Sequence, residues 1–185
     1  MNKLLNVETE GYMKINNPIG YAEYDATPYE VLNRMIEEYP FSMEDCFVDF
    51  GCGKGRVVCF AADNGCCNVI GIEFNEIIYE ILLENISKIQ HSNNIRTFNQ
   101  KAETWAIDPK LNKCFFYNPF YLKYFIKVYN NIIRYSQSKN ILLFLYDAAS
   151  EYQKFLNSQK NVILEKCIKG GRGLGDLLIY RVRRC

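Results

Sequence analysis

Short apolar runs alternate along this chain with longer stretches in which apolar residues recur at helical spacing. The strand-like runs are CFVDF, NVIGIE, IRTF, KCFFYN and NILLFLY, which begin at Cys46, Asn68, Ile95, Lys113 and Asn140. Strands that alternate with helices predict a parallel sheet covered by helices on both faces. The run NILLFLY is the most apolar of the five, so we expect it to be central.

The boundaries of the other elements follow from local signals. Thr27 as N-cap and Pro28 at the first helical position predict a helix that ends at Pro40. Further helices are predicted at 54–63, after an Asn75 cap, at 120–137 and at 149–157. The chain closes with strands at 161–169 and 176–183 around a glycine-rich loop, which predicts an antiparallel hairpin.

Composition limits the class of protein. A length of 185 residues favours one domain. Lys and Arg number 22 and Asp and Glu 21, so the basic excess of a dedicated nucleic-acid binder is missing. Residues 1–6 do not resemble a signal peptide, and the sequence contains no apolar run of membrane-spanning length. We therefore expect a cytoplasmic protein with no membrane segment.

The cysteines and the histidine exclude two kinds of site. The chain has eight cysteines but no Cys-x-x-Cys pair, and most of them lie in apolar segments. We expect buried or half-buried thiols rather than disulfides or zinc ligands. His91 is the only histidine and is predicted to lie in a solvated connection, so neither a catalytic triad nor a histidine-based metal site is expected.

The glycine-rich segment FVDFGCGKGR follows the first predicted strand and precedes a helix. It fails the phosphate-loop pattern, and Arg56 stands where a dinucleotide fingerprint requires its third glycine. Asp49, Gly51 and Gly53 instead satisfy Asp-x-Gly-x-Gly, the turn that binds S-adenosylmethionine. Glu73 ends the second strand, where a carboxylate can accept hydrogen bonds from both ribose hydroxyls. A carboxylate at that position suits both a dinucleotide and S-adenosylmethionine, since both contain adenosine.

The segment FFYNPF ends the fourth predicted strand at the same edge of the sheet. Proline fixes the backbone after Asn118. We expect the Asn118 side-chain oxygen and nearby carbonyls to face the cleft as hydrogen-bond acceptors. Acceptors beside an aromatic wall suit an amine nucleophile, since they hold its N–H groups and direct its lone pair.

Together, FVDFGCGKGR, GIEFN, FFYNPF and the closing hairpin resemble the class I S-adenosylmethionine-dependent methyltransferases. TPYEVL, paired with DFGCGKGR, is similar to small bacterial relatives of the non-SET lysine methyltransferases. The resemblance implies a Rossmann-like three-layer α/β sandwich. Its seven-stranded, mostly parallel sheet would have the order 3-2-1-4-5-7-6, with the last strand antiparallel. We expect one methyltransferase domain at 27–185 and an N-terminal lid or extension at 1–26.

The resemblance also implies roles for matching residues. Lys101 stands where the family usually has an acid against the adenine amine, so Gln100 or the backbone near Ala102 would take that place. Tyrosines of the N-terminal segment (Tyr12, Tyr21, Tyr24 and Tyr29) are candidates for a lid over the sulfonium, as is Tyr117. The residues expected to bind the cofactor are Asp49, Gly51, Cys52, Gly53, Glu73, Phe74, Gln100, Lys101 and Ala102. The residues expected at the transfer site are Tyr117, Asn118, Pro119 and Phe120, with Tyr21 and Tyr24 binding substrate.

The function expected from the resemblance is methyl transfer from S-adenosylmethionine to an amine nitrogen of a protein side chain or small molecule. Near-neutral charge disfavours nucleic-acid acceptors, and no metal is expected. Two alternatives remain open: a non-catalytic binding subunit with this fold, and an NAD-dependent oxidoreductase.

Overall fold

A computed structural model of the chain describes residues 7–14, 20–171 and 173–184. The strands are β1 (Cys46–Phe50), β2 (Asn68–Glu73), β3 (Ile95–Asn99), β4 (Lys113–Phe116), β5 (Asn140–Tyr146), β6 (Val162–Ile168) and β7 (Leu177–Arg183). The helices are α1 (Tyr29–Glu38), α2 (Arg56–Asp63), α3 (Glu76–Ser87), α4 (Leu122–Tyr135) and α5 (Ser150–Asn157). Short 3₁₀ turns lie at Ser92–Asn94 and Ala102–Thr104.

The strands form one sheet in the order β3-β2-β1-β4-β5-β7-β6. Neighbours from β3 to β5 pair in parallel, and β7 pairs antiparallel with both β5 and β6. The predicted fold, strand order and hairpin are therefore confirmed. β5 was expected at the centre; β4 holds the middle position, and β5 lies beside it with partners on both sides.

Two boundaries differ from the predictions. Helix α1 has Pro28 rather than Thr27 as its N-cap, because Pro28 is extended with ψ 138° and the helical dihedrals begin one residue later. Strand β4 ends at Phe116, so Tyr117 and Asn118 belong to the following turn. The predicted Asn75 cap of α3 is confirmed, since its side chain accepts hydrogen bonds from the next two free N–H groups, those of Ile77 and Ile78.

Helices cover both faces of the sheet because alternate strand residues point to opposite sides. On β1, Val48 and Phe50 belong to one buried core, and Phe47 belongs to the other. The Phe50 ring stacks on Phe116 of β4 with centroids 5.0 Å apart. This three-layer packing holds the carboxyl ends of β1, β2 and β4 side by side, where the glycine turn, Glu73 and the Asn118 turn lie.

The amino edge of the sheet carries a buried ion pair. Lys113 Nζ lies 2.8 Å from Asp45 Oδ2 and also donates to the Pro40 carbonyl. Asn112 donates to the other oxygen of Asp45. This network closes the edge opposite the candidate site.

The described thiols match the prediction of buried or half-buried residues except at Cys67, which is exposed. Cys46, Cys52, Cys59, Cys66 and Cys114 are buried, Cys167 is half-buried and Cys67 is exposed, all as free thiols. Cys185, like residues 1–6 and 15–19 of the expected N-terminal extension, lies outside the described residues. His91 is exposed in a connection, as expected. Across the described ranges, no helix is both long and apolar enough to cross a membrane, and no cluster of potential ligands could hold a metal ion.

Candidate functional site

The glycine turn after β1 is packed too closely for larger residues. Gly51 and Gly53 have φ values of 86° and 55°, in the left-handed region that glycine tolerates. A Cβ on Gly51 would lie 2.5 Å from the Pro119 Cβ, and one on Gly53 would lie 2.5 Å from the Tyr24 ring. The backbone of the turn therefore packs directly against the Pro119 and Tyr24 side chains, between the Asn118 turn and the N-terminal segment.

Most N–H groups of this turn are already bonded within the protein. Gly51 and Cys52 both donate to the Ile72 carbonyl, at 2.9 and 3.0 Å. Gly53 donates to Glu73 Oε2 at 3.0 Å, and Gly55 donates to the Cys52 carbonyl at 2.9 Å. These four groups are unavailable to a phosphate, which argues against the nucleotide-anion role that glycine turns serve in dinucleotide enzymes.

Asp49 is a buried carboxylate that faces the cleft. Its residue exposure is 3%, and no donor in the described part of the chain forms a hydrogen bond with its side chain. Burial, together with the neighbouring charge of Glu73, raises the pKa of Asp49 well above its usual range. Buried carboxylates are normally paired, so this group is arranged to receive a cationic partner.

Glu73 is buried beside Asp49, but the backbone already holds its side chain. Oε2 accepts from Gly53 N–H and Oε1 accepts from Asn75 N–H at 2.8 Å. Burial raises the pKa of Glu73, and these hydrogen bonds act in the opposite direction. A carboxylate has about four acceptor positions, so acceptor capacity remains for a ligand such as a ribose diol.

These groups line one cleft of about 250 Å³, which is far larger than the roughly 10–15 Å³ that one water needs. Fourteen of the fifteen predicted site residues line it: Tyr21, Tyr24, Asp49, Gly51, Cys52, Gly53, Glu73, Phe74, Gln100, Ala102, Tyr117, Asn118, Pro119 and Phe120. The residues predicted from the sequence therefore lie together in one cleft, and their individual roles stay predictions.

Lys101 is the exception. It is exposed and does not line the cleft, whereas its neighbours Gln100 and Ala102 do. The backbone at Lys101 is extended, directly before the 3₁₀ turn. Its ammonium lies 5.9 Å from the Tyr21 ring centroid. The prediction that Lys101 binds the cofactor is thus not supported by its position, because extended backbone directs neighbouring side chains to opposite sides.

The Asn118 side chain is engaged differently from the prediction. Its Nδ2 donates to the Asp147 carbonyl at 2.5 Å, and its Oδ1 accepts from the Ala149 N–H at 2.8 Å. Asn118 also has φ 41°, a conformation asparagine tolerates better than most residues. The amide therefore ties the turn to the segment after β5, and its oxygen is not an unpaired acceptor for the cleft.

Residues 20–27, which we call the strap, cross the cleft antiparallel to the Asn118 turn. Ala22 N–H donates to the Pro119 carbonyl at 3.0 Å, and Tyr21 forms a bridge with Phe120. The Tyr21 ring packs on Phe74 with centroids 4.4 Å apart, and the buried Tyr24 ring covers Gly53. Both tyrosines predicted to bind substrate thus contact residues predicted to hold the cofactor.

The other lid candidates have separate environments. Tyr12 is 65% exposed and does not line the cleft. Tyr29 lies under the Arg56 guanidinium, 4.7 Å from ring centroid to carbon. Tyr117 lines the cleft and donates to Asp25 Oδ2 at 2.8 Å.

Buried polar side chains anchor the strap and the residues before it. Arg56 donates through Nε to Thr9 Oγ1 at 2.9 Å and through Nη1 to the Thr27 carbonyl at 3.1 Å, and it pairs with Glu10 at 2.6 Å. Asn85 bonds both the N–H and the carbonyl of Glu8.

The lining residues that the sequence did not single out include the charged residues Glu23, Asp25 and Arg56. Arg56 was noticed only as a mismatch to a glycine pattern, and a basic residue directly after a glycine turn was the available signal. No pattern around Asp25 singles it out.

Comparison with known families decides the assignment. The family described as "Histone methylation protein DOT1" matches residues 13–115, more than half of the chain. The chain belongs to the DOT1 family. The match includes the strap, the glycine turn and Glu73, and it ends just before the Asn118 turn. It bears out the predicted similarity to non-SET lysine methyltransferases.

One curated relative is a "Protein-lysine N-methyltransferase" from Saccharolobus islandicus (strain REY15A). It is 35% identical over 71 residues, which cover 38% of this chain and 44% of the relative. The match therefore spans less than half the length of that relative.

Solved structures share the fold of this DOT1-family chain. An RNA methyltransferase from Salinibacter ruber, in complex with S-adenosyl-L-homocysteine, aligns with TM-score 0.68 and 18% identity, over 86% of this chain and 93% of that one. An rRNA methylase from Streptococcus thermophilus aligns with TM-score 0.63 and 12% identity, over 86% and 98%. At such identities the likeness concerns the fold, which is that of the class I methyltransferases.

Proposed function

We propose that this DOT1-family chain transfers a methyl group from S-adenosylmethionine to the ε-amine of a lysine in a protein. The observation that carries the proposal is the Asp49 carboxylate, buried in the cleft and without a donor among the described residues. S-adenosylmethionine has an α-ammonium, which is the kind of partner such a carboxylate needs.

The rest of the cleft fits the same cofactor. Glu73 keeps acceptor capacity for the ribose hydroxyls beyond its backbone hydrogen bonds. Phe74 and Tyr21 offer aromatic faces for the adenine. When bound, S-adenosylmethionine supplies a methyl group already activated by its sulfonium. The protein's task is then to position the amine and exclude water, which can supply about 7–11 kcal/mol of the barrier.

The strap is proposed as the lid of this site, in agreement with the expected role of the N-terminal segment. Tyr24 covers the glycine turn and Tyr21 covers Phe74. A cofactor between them would be shielded from solvent, so the strap has to open for exchange. We keep residues 27–185 as the proposed methyltransferase domain.

A protein lysine is favoured as acceptor for two reasons. The curated relative carries the name of a protein-lysine methyltransferase, and the formal net charge of +1 gives no general attraction for nucleic acid. The fold neighbours named as RNA methyltransferases make RNA the rival acceptor. The bonded N–H groups of the glycine turn count against an NAD-dependent enzyme.

Calorimetry with S-adenosylmethionine, S-adenosylhomocysteine and NAD tests the cofactor. We expect micromolar binding of the first two and none of NAD. The acceptor is tested with a lysine-containing peptide, the same peptide with arginine for lysine, and a short RNA, with mass spectrometry as readout. Methylation of the lysine peptide alone supports the proposal. Binding of NAD alone would refute it, methylation of RNA alone would replace the acceptor, and cofactor binding without transfer to any of the three would favour a non-catalytic subunit.

A further inference from the structure

Acidic and aromatic groups lie beside the Asn118 turn, two of them in the cleft and two next to it. Asp25 is exposed, lines the cleft and accepts a hydrogen bond from Tyr117 OH at 2.8 Å. The Tyr117 ring packs edge to face on Tyr146, with centroids 4.6 Å apart. Asp147 follows Tyr146 at the end of β5. We call Asp25, Tyr117, Tyr146 and Asp147 the acidic rim.

The two aspartates act on the same two phenols. Burial raises the pKa of Tyr117, and the hydrogen bond and charge of Asp25 and the charge of Asp147 raise it further. Burial also raises the pKa of Tyr146, where both aspartates again contribute. Lys169 shares a shallow depression with Asp147, but it is paired with Asp176 at 2.7 Å. The rim therefore presents a negative potential.

The rim lies at the solvent side of the cleft, where Asp25 and Tyr117 line it. The strap runs antiparallel to the Asn118 turn, with Ala22 opposite Pro119 and Asp25 opposite Tyr117. The cleft thus has Asp49 and Glu73 at its buried end and Asp25 at its open end. In the described part of the chain, Asp25 Oδ1 forms no hydrogen bond, so that oxygen is available to a ligand.

We propose that Asp25 binds the protonated amine of the incoming methyl acceptor and that Tyr117 is a positioning residue that orients the Asp25 carboxylate. This inference rests on the proposed function, because it names the residue that selects a cationic acceptor for the same site. A carboxylate bonds an ammonium strongly, and the ring of Tyr117, which lines the cleft, adds cation–π attraction. Phosphates of a nucleic acid would be repelled by the same groups.

The test measures acceptor binding rather than turnover. A short blocked peptide of glycine and serine with one lysine is titrated into protein saturated with S-adenosylhomocysteine. Asp25→Asn keeps an acceptor for Tyr117 OH but loses the charge. We expect the affinity for the peptide to fall by about tenfold or more. Glu44→Gln is the matched control, since it removes one exposed charge outside the cleft, and it should leave the affinity unchanged.

A double-mutant cycle tests the positioning role. Tyr117→Phe keeps the ring and should weaken peptide binding less than Asp25→Asn does. In the Asp25→Asn background it should have no further effect, whereas a purely structural role would add to the loss. Additive losses would overturn the role of Tyr117.

Failure of this inference is distinguishable from failure of the proposed function. If the cofactor assignment is wrong, the wild-type protein does not bind S-adenosylhomocysteine in calorimetry. If only the Asp25 assignment is wrong, S-adenosylhomocysteine binds, and the peptide binds equally to wild type and Asp25→Asn or to neither.

Discussion

At the scale of single residues, Asp49 lowers the stability of the unbound protein and also provides a carboxylate for ligand binding. Its carboxylate is buried and has no hydrogen-bond donor among the residues that the structure describes, and burial raises its pKa. A raised pKa in an acid means that the folded chain holds the proton more tightly than the unfolded chain. The unbound protein should therefore gain stability as pH falls from neutral through the raised pKa, until the unfolded value of about 3.9 is passed.

Asp49→Asn should remove this dependence. We expect the variant to be about 1–3 kcal/mol more stable than wild type at pH 7, with a difference that shrinks as pH is lowered. It should also lose most of its affinity for S-adenosylmethionine. Urea denaturation at pH 7 and pH 5, with calorimetry at pH 7, measures both effects. A variant that is less stable than wild type at pH 7 would contradict the reading of Asp49 as an unpaired buried charge.

Residue-scale prediction from sequence worked where a backbone pattern fixes the position. Asp49, Gly51, Gly53 and Glu73 lie at or just after the carboxyl ends of β1 and β2, and such ends meet at one edge of a parallel sheet. It failed for Lys101 and for the Asn118 oxygen, because these depend on where a side chain points and on which neighbour reaches it first. The local spacing of residues in the sequence determines neither property.

At the scale of elements, the N-terminal residues are held by a helix distant in sequence. Asn85 of α3 is fully buried, bonds the N–H and carbonyl of Glu8, and also donates to the Lys54 carbonyl at 2.9 Å. Thr9 then accepts from Tyr24 OH at 2.6 Å, and Met13 pairs with Tyr24. A chain of contacts therefore connects α3 to the strap.

Asn85→Leu should release this segment. Loss of these three hydrogen bonds, one buried and two partly buried, should reduce the free energy of unfolding by about 1–3 kcal/mol, and the amides of Glu8 and Met13 should exchange hydrogen faster. Asn161→Leu is the control, since the Asn161 side chain makes one exposed hydrogen bond, to the Arg183 carbonyl. Hydrogen exchange with mass spectrometry gives the comparison. Unchanged protection of both amides would show that Asn85 does not anchor the segment.

The sequence predicted the helices and strands well, but it gave little indication of how the N-terminal residues are anchored. Periodicity and the Asn75 cap marked α3 correctly, but the N-terminal residues are weakly patterned. Their placement comes from single hydrogen bonds across 77 residues of sequence. Contacts of this kind produce no periodic pattern in the sequence.

At the scale of the whole molecule, the thiols report on opening of the fold. Burial raises the pKa of Cys46 and Cys59 to about 12 and that of Cys66 to about 11. The thiolate is the reactive form, so these residues should resist labelling until the sheet separates from its helices. Cys67 is exposed and should react at once.

Native-state labelling with a disulfide reagent, read site by site by mass spectrometry, checks this expectation. Cys67 should be modified within minutes, and Cys46, Cys59 and Cys66 only at the rate of global unfolding. Mild urea should accelerate all three together if the domain unfolds cooperatively. Early labelling of one of the three alone would instead identify a part of the sheet that opens independently.

The Asp45–Lys113 pair has a practical consequence for protein engineering. Asp45 precedes β1 and Gly51 follows it, so the pair and the glycine turn are separated by on the order of 17 Å along the strand. Changes that far apart usually have additive effects on stability. A library that varies the residues around the Asp45–Lys113 pair could therefore first raise the thermal stability of the protein. Later rounds could then introduce destabilising substitutions that change the acceptor preference at the carboxyl ends of the strands.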